Sequence, residues 1–179
     1  MKILPIVLAP VLFTLATARF TEAAERAPSP SPELVSFFKG LEDRWEGTGV
    51  ERELQADGSW KQTEIEMEVD VDSERGNTWR ARSEVKTEDH VTRYNDALFE
   101  IRGELLYIST VGPYDPIAPV VSTPTQLSYC FRRSEIYTGR VFTICEDFRI
   151  ATGRHLFGRV TIEVNGARIQ ESNYQLLRR

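Results

Sequence analysis

The sequence predicts an all-β protein: a single antiparallel up-and-down β-barrel of about 8–10 strands with a short N-terminal helix. From Trp45 onward, nearly every stretch of about ten to fifteen residues holds one strand-like run and then one turn signal. No segment of that region keeps a helical period. Short turns join nearly all neighbouring runs, and this favours an up-and-down barrel over a Greek-key sandwich.

The chain of 179 residues begins with the pattern of a secretory signal peptide. A positively charged start is followed by an apolar run over 3–16 and by small residues that end at Ala18 and again at Ala23. The apolar run is about 14 residues long, shorter than the roughly 20 that a membrane-spanning helix needs. We expect a signal peptide over 1–23, cleaved after Ala18 or, as we favour, after Ala23, and a secreted or periplasmic protein.

The mature chain is predicted to begin with a Pro/Ser-rich tether over residues 24–32, because alternating prolines favour extended structure. The β-barrel domain then covers 33–179. Its first element is a short helix with Ser31 as its N-cap and Pro32 at its first position. The helix has one apolar face, formed by Leu34, Val35, Phe37, Phe38 and Leu41. A helix of two to three turns is only marginally stable in isolation, so we expect it to pack across one opening of the barrel.

Nine strands follow, each ended by a turn signal. They cover residues 44–55, 60–71, 78–86, 90–101, 104–111, 125–133, 140–150, 154–164 and 167–177. Asn165-Gly166 is the strongest hairpin signal among the turns. The one long connection, 112–124, carries four prolines and is the best candidate for a lid.

Alternation in the second strand supports a sheet with one buried face and one solvated face. Apolar residues occupy one set of alternate positions, namely Ile65, Met67, Val69 and Val71. Acidic residues occupy the other set, namely Glu64, Glu66, Glu68 and Asp70. The acidic run is therefore interpreted as a solvated strand face and not as a metal site. Such charged faces also argue against stable membrane insertion, because a membrane barrel needs a lipid-facing apolar band.

The charge balance argues against a nucleic-acid partner. The formal net charge is −5, with a pI near 5.2, and the arginines are scattered among acids. Binding to phosphates needs clustered Lys and Arg residues. The oligomeric state stays open.

Cys130 and Cys145 lie on adjacent predicted strands, and direct pairing places Phe131 opposite Ile144. Both cysteines fall on the more polar faces of their strands, and export permits a disulfide. We predict a bridge on the outer surface that closes a loop of about 15 residues and stabilises the fold by about 3 kcal/mol. A metal site is not predicted, because no third ligand is spaced nearby.

Trp45, Gly47 and Gly49 open the first strand directly after the short helix. This arrangement resembles the lipocalin-type (calycin) barrels, in which a Trp begins the first strand and a short N-terminal helix helps to close the barrel floor. It resembles more loosely the haem-binding barrels of the nitrobindin type, whose first strand carries a Trp-x-Gly-x-Gly element. Lipocalins usually have a glycine two residues before the Trp, where this chain has Asp43.

The nitrobindin resemblance implies haem as a possible cofactor, held by a histidine. His155, on a late strand, is the better candidate and His90 the other. Both lie beside predicted turns, so a surface histidine is the simpler interpretation. Apart from this alternative, no cofactor is implied.

A barrel of this size can enclose one small molecule. Seven aromatic residues are candidate ligand contacts, although plain core is the simpler interpretation of the set: Trp45, Trp79, Tyr107, Tyr129, Phe131, Phe142 and Phe148. Arg80 and Arg82 should face outward. The resemblance implies a non-covalent carrier or sensor of a small hydrophobic molecule.

Two other functions stay open. One is an enzyme on the same barrel that acts on a lipid-like substrate, although no catalytic residue can be assigned, since Ser, His and Asp occur in no specific arrangement. The other is a protein-interaction module with a filled core. An apolar cavity would favour the carrier, ionisable groups converging inside it would favour the enzyme, and a solid core would favour the module.

Overall fold

The computed structural model describes residues 28–109, 115–117, 119–134 and 139–179. The predicted signal peptide and residues 24–27 of the predicted tether lie outside the described residues. Within the described ranges, the single helix is too short to cross a membrane.

Helix α1 spans Pro32–Leu41 and begins as the sequence predicts. The hydroxyl of Ser31 accepts a hydrogen bond from the backbone N–H of Leu34, and Pro32 occupies the first turn. The backbone N–H of Ser31 also donates to the carbonyl of Gly103, at 2.8 Å. The chain that enters the helix is therefore anchored to a strand hairpin of the barrel.

Eleven antiparallel strands form one sheet within the described ranges. They are β1 (Asp43–Leu54), β2 (Trp60–Ser73), β3 (Thr78–Thr87), β4 (Thr92–Arg102), β5 (Leu105–Ser109), β6 (Asp115–Ile117), β7 (Val121–Thr123), β8 (Gln126–Ser134), β9 (Val141–Ala151), β10 (His155–Val164) and β11 (Ala167–Arg178). The all-β fold with a short helix is confirmed. Two three-residue strands, β6 and β7, lie in the segment predicted as a loop.

The sheet is curled, with the strand order β6-β5-β4-β3-β2-β1-β11-β10-β9-β8-β7. The first strand pairs with both β2 and β11, so the first and last strands are neighbours in the middle of the sheet. The curl brings β6 near β8, although no hydrogen-bonded ladder joins β6 to β7 in the part of the chain described. Helix α1 packs at β7 and β8, beside this seam.

Two glycines of β1 allow the sheet to coil tightly. A Cβ atom on Gly47 would lie 2.1 Å from the carbonyl oxygen of Gln175, and one on Gly49 would lie 2.5 Å from that of Asn173. Strand β11 therefore approaches β1 more closely than a larger residue would allow. Asp43, at the position where lipocalins usually have glycine, has a φ of 142°, a conformation that favours glycine.

The helix covers one end of the barrel, as predicted. Phe38 stacks on Trp79 with 5.2 Å between the ring centroids. The indole N–H of Trp45 donates to the carbonyl of Leu41, and that of Trp79 donates to the carboxylate of Glu42, each at 2.8 Å. Both indoles are therefore buried with their single donor satisfied.

The outer face of the sheet carries several ion pairs and the disulfide. Arg80 pairs with Asp96 at 2.9 Å, so the predicted outward direction of this arginine is confirmed. Arg82 likewise faces outward and pairs with Asp72 at 3.2 Å.

The predicted cysteine pair is also confirmed. Cys130 and Cys145 are bonded across β8 and β9, with their Cα atoms 4.1 Å apart. Phe131 lies opposite Ile144, in the predicted register. The bridge lies on the outside of the same strand pair that forms part of the inner wall.

Candidate ligand-binding cavity

The barrel encloses a cavity of about 350 Å³ next to helix α1. Phe37, Phe38 and Leu41 of the helix form its floor. Its walls are mostly apolar, with contributions from Ile65, Met67, Val69, Val71, Ala81, Val85, Ala97, Phe99, Ile108, Leu127, Phe131, Phe148, Leu156 and Val160. This lining follows from the alternation of the strands, because one residue in two points inward.

The cavity opens at the end away from the helix. Its lining there includes the exposed residues Arg93 and Tyr94 of β4, and Tyr94 is 76% exposed. The carboxylate of Glu51 accepts hydrogen bonds from the guanidinium of Arg93 and the amide of Gln170, both at 2.9 Å, and from the hydroxyl of Ser172 at 3.3 Å. The negative and positive charges at this mouth are thus paired with each other.

On the wall of the cavity, Glu146 interrupts the apolar inner face of β9. It lies directly opposite Tyr129 of β8, whose hydroxyl donates a hydrogen bond to its carboxylate. Burial raises the pKa of Glu146, and the hydrogen bond from Tyr129 opposes part of that rise. Burial, followed by the nearby Glu146 charge, raises the pKa of Tyr129 well above its ordinary value.

Tyr174 of β11 completes this polar part of the wall. A Cβ atom on Gly158 would lie 2.1 Å from the ring of Tyr174, so the ring lies flat over that glycine of β10. Gly158 pairs with Phe148 of β9, two residues from Glu146, and the ring therefore extends toward the carboxyl group. Burial, together with the charge of Glu146, raises the pKa of Tyr174. We call Tyr129, Glu146 and Tyr174 the polar wall.

Two polar groups of this wall lack a full set of partners. Tyr174 lines the cavity, and no side chain among the described residues hydrogen-bonds its hydroxyl. No Lys or Arg side chain in the described ranges lies within salt-bridge distance of the Glu146 carboxylate. Of the three charged side chains in the described lining, Glu51 and Arg93 pair with each other, which leaves Glu146 without an opposite charge among the described residues.

Three of the seven aromatic residues predicted as ligand contacts line the cavity: Tyr129, Phe131 and Phe148. The ring of Tyr129 lies 6.3 Å from those of both phenylalanines, centroid to centroid. The structure therefore brings these three together on the β8–β9 wall.

The other four lie elsewhere. Trp45 and Trp79 are buried in the core at the helix-covered end. Tyr107 lies on the outer face of β5 beneath the guanidinium of Arg102, which is 4.6 Å from its ring centroid. Phe142 shares the inner face of β9 but is half-buried near the strand's first residue and does not line the cavity.

Neither histidine lines the cavity. His155 lies on the face of β10 opposite to buried Leu156, and its Nδ1 is 3.2 Å from the hydroxyl of Thr152. His90 is exposed in the turn between β3 and β4. The described lining thus offers no imidazole to a haem iron, and these residues do not fit the histidine-held haem that the nitrobindin resemblance implies.

Sequence reasoning missed Glu146, Tyr174, Glu51 and Arg93. The signal for Glu146 was present, because it interrupts the run of apolar residues at alternate positions of β9: Phe142, Ile144, Phe148 and Ile150. A lone acid on an otherwise apolar strand face indicates a buried polar site. Tyr174 carried no such signal, since its position depends on a glycine of the neighbouring strand.

No family model matches the chain, and no curated protein matches it in sequence. Solved structures match it in fold. Rv2717c from M. tuberculosis has a TM-score of 0.61 at 13% identity, over 84% of this chain and 99% of that one. The S-type phycobiliprotein lyase CPES from Guillardia theta has a TM-score of 0.57 at 11% identity, over 84% and 98%.

A protein of unknown function from the DUF3598 family, from Nostoc punctiforme, also matches in fold. Its TM-score is 0.54 at 10% identity, over 79% of this chain and 49% of that one. At such low identities these matches establish the fold alone. The chain has the lipocalin-like barrel fold, as the resemblance around Trp45 predicted.

Proposed function

We propose that this chain is an exported β-barrel that binds a small hydrophobic molecule and acts as its carrier or sensor. The observation that carries the proposal is the apolar cavity of about 350 Å³. Concave, mostly apolar sites with a few converging polar groups are the usual form of small-molecule sites. Export is supported by the N-terminal pattern and by the disulfide, which persists in oxidising compartments.

Affinity would come from removing apolar ligand surface from water. That transfer is worth roughly 25 cal/mol per Å² before the costs of association are subtracted. Because the floor and walls are already formed by packed helix and strand residues, little ordering is needed on binding. A hollow interior also argues against the interaction module with a filled core.

An enzyme on the same barrel, with a lipid-like substrate, is the second candidate. The observation in its favour is the polar wall, where a carboxyl group with a raised pKa contacts a tyrosine inside an apolar site. Such groups can act as general acids or bases. The fold match to a phycobiliprotein lyase concerns the fold and carries no activity over to this chain.

The first experiment is native mass spectrometry of the protein purified from its own host, with an absorbance scan of the same sample. We expect a reproducible bound mass, whose value gives the size of the ligand. A clean mass of the empty protein would contradict the carrier and favour the enzyme, whose substrate is held only transiently.

A cavity-filling variant provides the control. Ala97 of β4 is buried and lines the cavity, whereas Ala167 at the start of β11 is exposed. Ala97→Trp should abolish the bound mass because the indole occupies the ligand's space, and Ala167→Trp should leave it. A bound mass that persists at full occupancy in folded Ala97→Trp would place the ligand outside the barrel.

A further inference from the structure

We propose that the cavity selects hydrophobic molecules that carry a positively charged nitrogen, such as a protonated alkylamine, and that Glu146 receives this group. The selectivity rests on the proposed function, because it concerns the ligand of the same cavity. Inside the barrel, this acidic side chain lies in a mostly apolar wall and has no basic partner among the described residues.

The charged side chains of the lining determine whether a positively or a negatively charged ligand is preferred. Glu51 and Arg93 neutralise each other at the mouth, with 2.9 Å between their charged atoms, and the Arg93 side chain is exposed to solvent. Glu146 lies on the inner face of β9 within a mostly apolar lining, and the Tyr129 hydroxyl is its side-chain hydrogen-bond partner among the described residues. Charges interact more strongly in such a low-dielectric site than in water. A cation would therefore be attracted to Glu146, whereas a carboxylate of the same chain length would be repelled.

The hydrogen-bonding capacity of the polar wall matches an ammonium group. A carboxylate has about four acceptor positions, and Tyr129 occupies one of them. Tyr174 also lines the cavity, and its hydroxyl has no hydrogen-bond partner among the described residues. An alkylammonium carries three N–H donors, so it can donate to Glu146 and to the oxygen of Tyr174 together.

The opposite wall suits the apolar part of the ligand. Most of its lining is apolar and comes from Met67 and Val69 of β2, Ala81 and Val85 of β3 and Phe99 of β4, while Ser83 and Asn95 add two polar side chains. The apolar side chains have no hydrogen-bonding groups apart from the weakly accepting sulfur of methionine. A linear or branched hydrocarbon can therefore lie against β2–β4 while its charged end reaches β9.

The preference for a cation should strengthen as pH rises and Glu146 ionises. The groups that face Glu146 are Tyr129 from β8 and Tyr174 from β11, and the pKa values of both tyrosines are raised away from the physiological range. The other ionisable groups of the lining, Glu51 of β1 and Arg93 of β4, are already paired. Burial raises the pKa of Glu146 above its ordinary value, so among the described lining residues this is the carboxyl group whose ionisation should change the charge of the cavity as pH rises.

The test is a competition measurement on the mature chain with its disulfide intact. The uncharged fluorescent probe N-phenyl-1-naphthylamine is displaced by dodecylamine, dodecanoic acid or 1-dodecanol, each below its aggregation concentration. We expect dodecylamine to displace the probe at a concentration at least about tenfold lower than dodecanoic acid, a ratio typical of one charge-assisted contact.

Two neutralising substitutions on the same strand form the matched pair. Glu146→Gln should remove the preference for dodecylamine and leave 1-dodecanol within about twofold of its original value, since only the charge is lost. Asp147→Asn makes the same chemical change on the outer face, where Asp147 accepts from the hydroxyl of Ser128 at 2.7 Å. The preference should persist in that variant.

The outcomes separate the two proposals. If the probe binds but amine and acid displace it equally, or if the preference survives Glu146→Gln, the selectivity is overturned and the hydrophobic carrier stands. If neither the probe nor any competitor binds, the carrier fails and the selectivity fails with it. Should circular dichroism show that Glu146→Gln is unfolded, Tyr174→Phe decides: a reduced preference supports the proposal and an unchanged preference overturns it.

Discussion

The helix-covered end of the barrel and the cavity beside it use their polar groups differently. At the covered end, the indole N–H groups of Trp45 and Trp79 each have a hydrogen-bond acceptor at 2.8 Å, and both side chains are at most 2% exposed. In the cavity, Glu146 lacks a basic partner and Tyr174 lacks a hydrogen-bond partner among the described residues. The covered end is complete by itself, whereas the cavity wall retains capacity for another molecule.

This difference indicates which region contributes more to the free energy of unfolding and which contributes more to ligand binding. A packed residue contacts atoms on all sides, while a cavity-lining residue loses the contacts on its open side. The covered end should therefore contribute more to the free energy of unfolding per residue. The cavity wall should contribute less to stability and more to binding.

Truncation of aromatic residues should show the largest contrast. Trp45→Ala should lower the free energy of unfolding by about 3–5 kcal/mol, because it removes a fully buried indole and leaves a void. Phe131→Ala, on the cavity wall, should cost about 2 kcal/mol or less, since its ring already borders empty space. Urea unfolding measures both, and equal losses would show that the two regions are packed alike.

Removal of the disulfide should have the next largest effect on stability. Changing both Cys130 and Cys145 to Ser should lower the free energy of unfolding by about 3 kcal/mol, through the greater freedom of the unfolded chain. Since the bridge lies directly behind the Tyr129–Glu146 pair, ligand release from the folded variant should also be faster. Urea unfolding measures the loss of stability, and stopped-flow fluorescence measures the release of N-phenyl-1-naphthylamine. An unchanged release rate would show that the bridge acts only by restricting the unfolded chain.

A single methyl group on Gly158 should damage the cavity at moderate cost. Gly158→Ala places a Cβ atom 2.1 Å from the ring of Tyr174, so the ring must leave its position or strain the wall. We expect a loss of about 1–3 kcal/mol in the free energy of unfolding and weaker probe binding. In a Tyr174→Leu background the same substitution should cost less. Equal costs in both backgrounds would mean that the ring does not lie over the glycine.

The smallest effect concerns the pH dependence of stability. Burial raises the pKa of Glu146 in the folded state, so the folded protein binds more protons than the unfolded chain between the unfolded and the folded pKa values of this group. The contribution of Glu146 to stability is therefore fully present below its unfolded pKa and is lost as pH rises through its folded pKa. Glu146→Gln should flatten this part of the stability profile.

Thermal melts at several pH values measure that profile. Asp147→Asn on the outer face is the control, and it should keep the pH dependence of the unsubstituted protein. A profile that stays the same in Glu146→Gln would show that the carboxyl group is solvated in the empty protein.

Local patterns predicted much of the fold. The helix cap at Ser31 and Pro32 and the register of Cys130 with Cys145 were predicted correctly, because each depends on residues close in sequence or on neighbouring strands. The candidate site was predicted less completely. Tyr129, Phe131 and Phe148 line the cavity, whereas Trp45 and Trp79 belong to the packed core. The sequence does not distinguish these two groups, because alternation tells which face of the sheet a residue occupies but not its height along the barrel.

The sequence by itself determined the all-β class, the outer acidic face and the disulfide pairing, because a period of two and turn residues act over a few positions. Only the tertiary structure decided which inward side chains meet. The curl of the sheet places Tyr174 over Gly158 and turns it toward Glu146, two strands away. Helix α1 fills one end of the barrel and leaves the other hollow, since the space between strands depends on how the whole sheet bends and on what covers it.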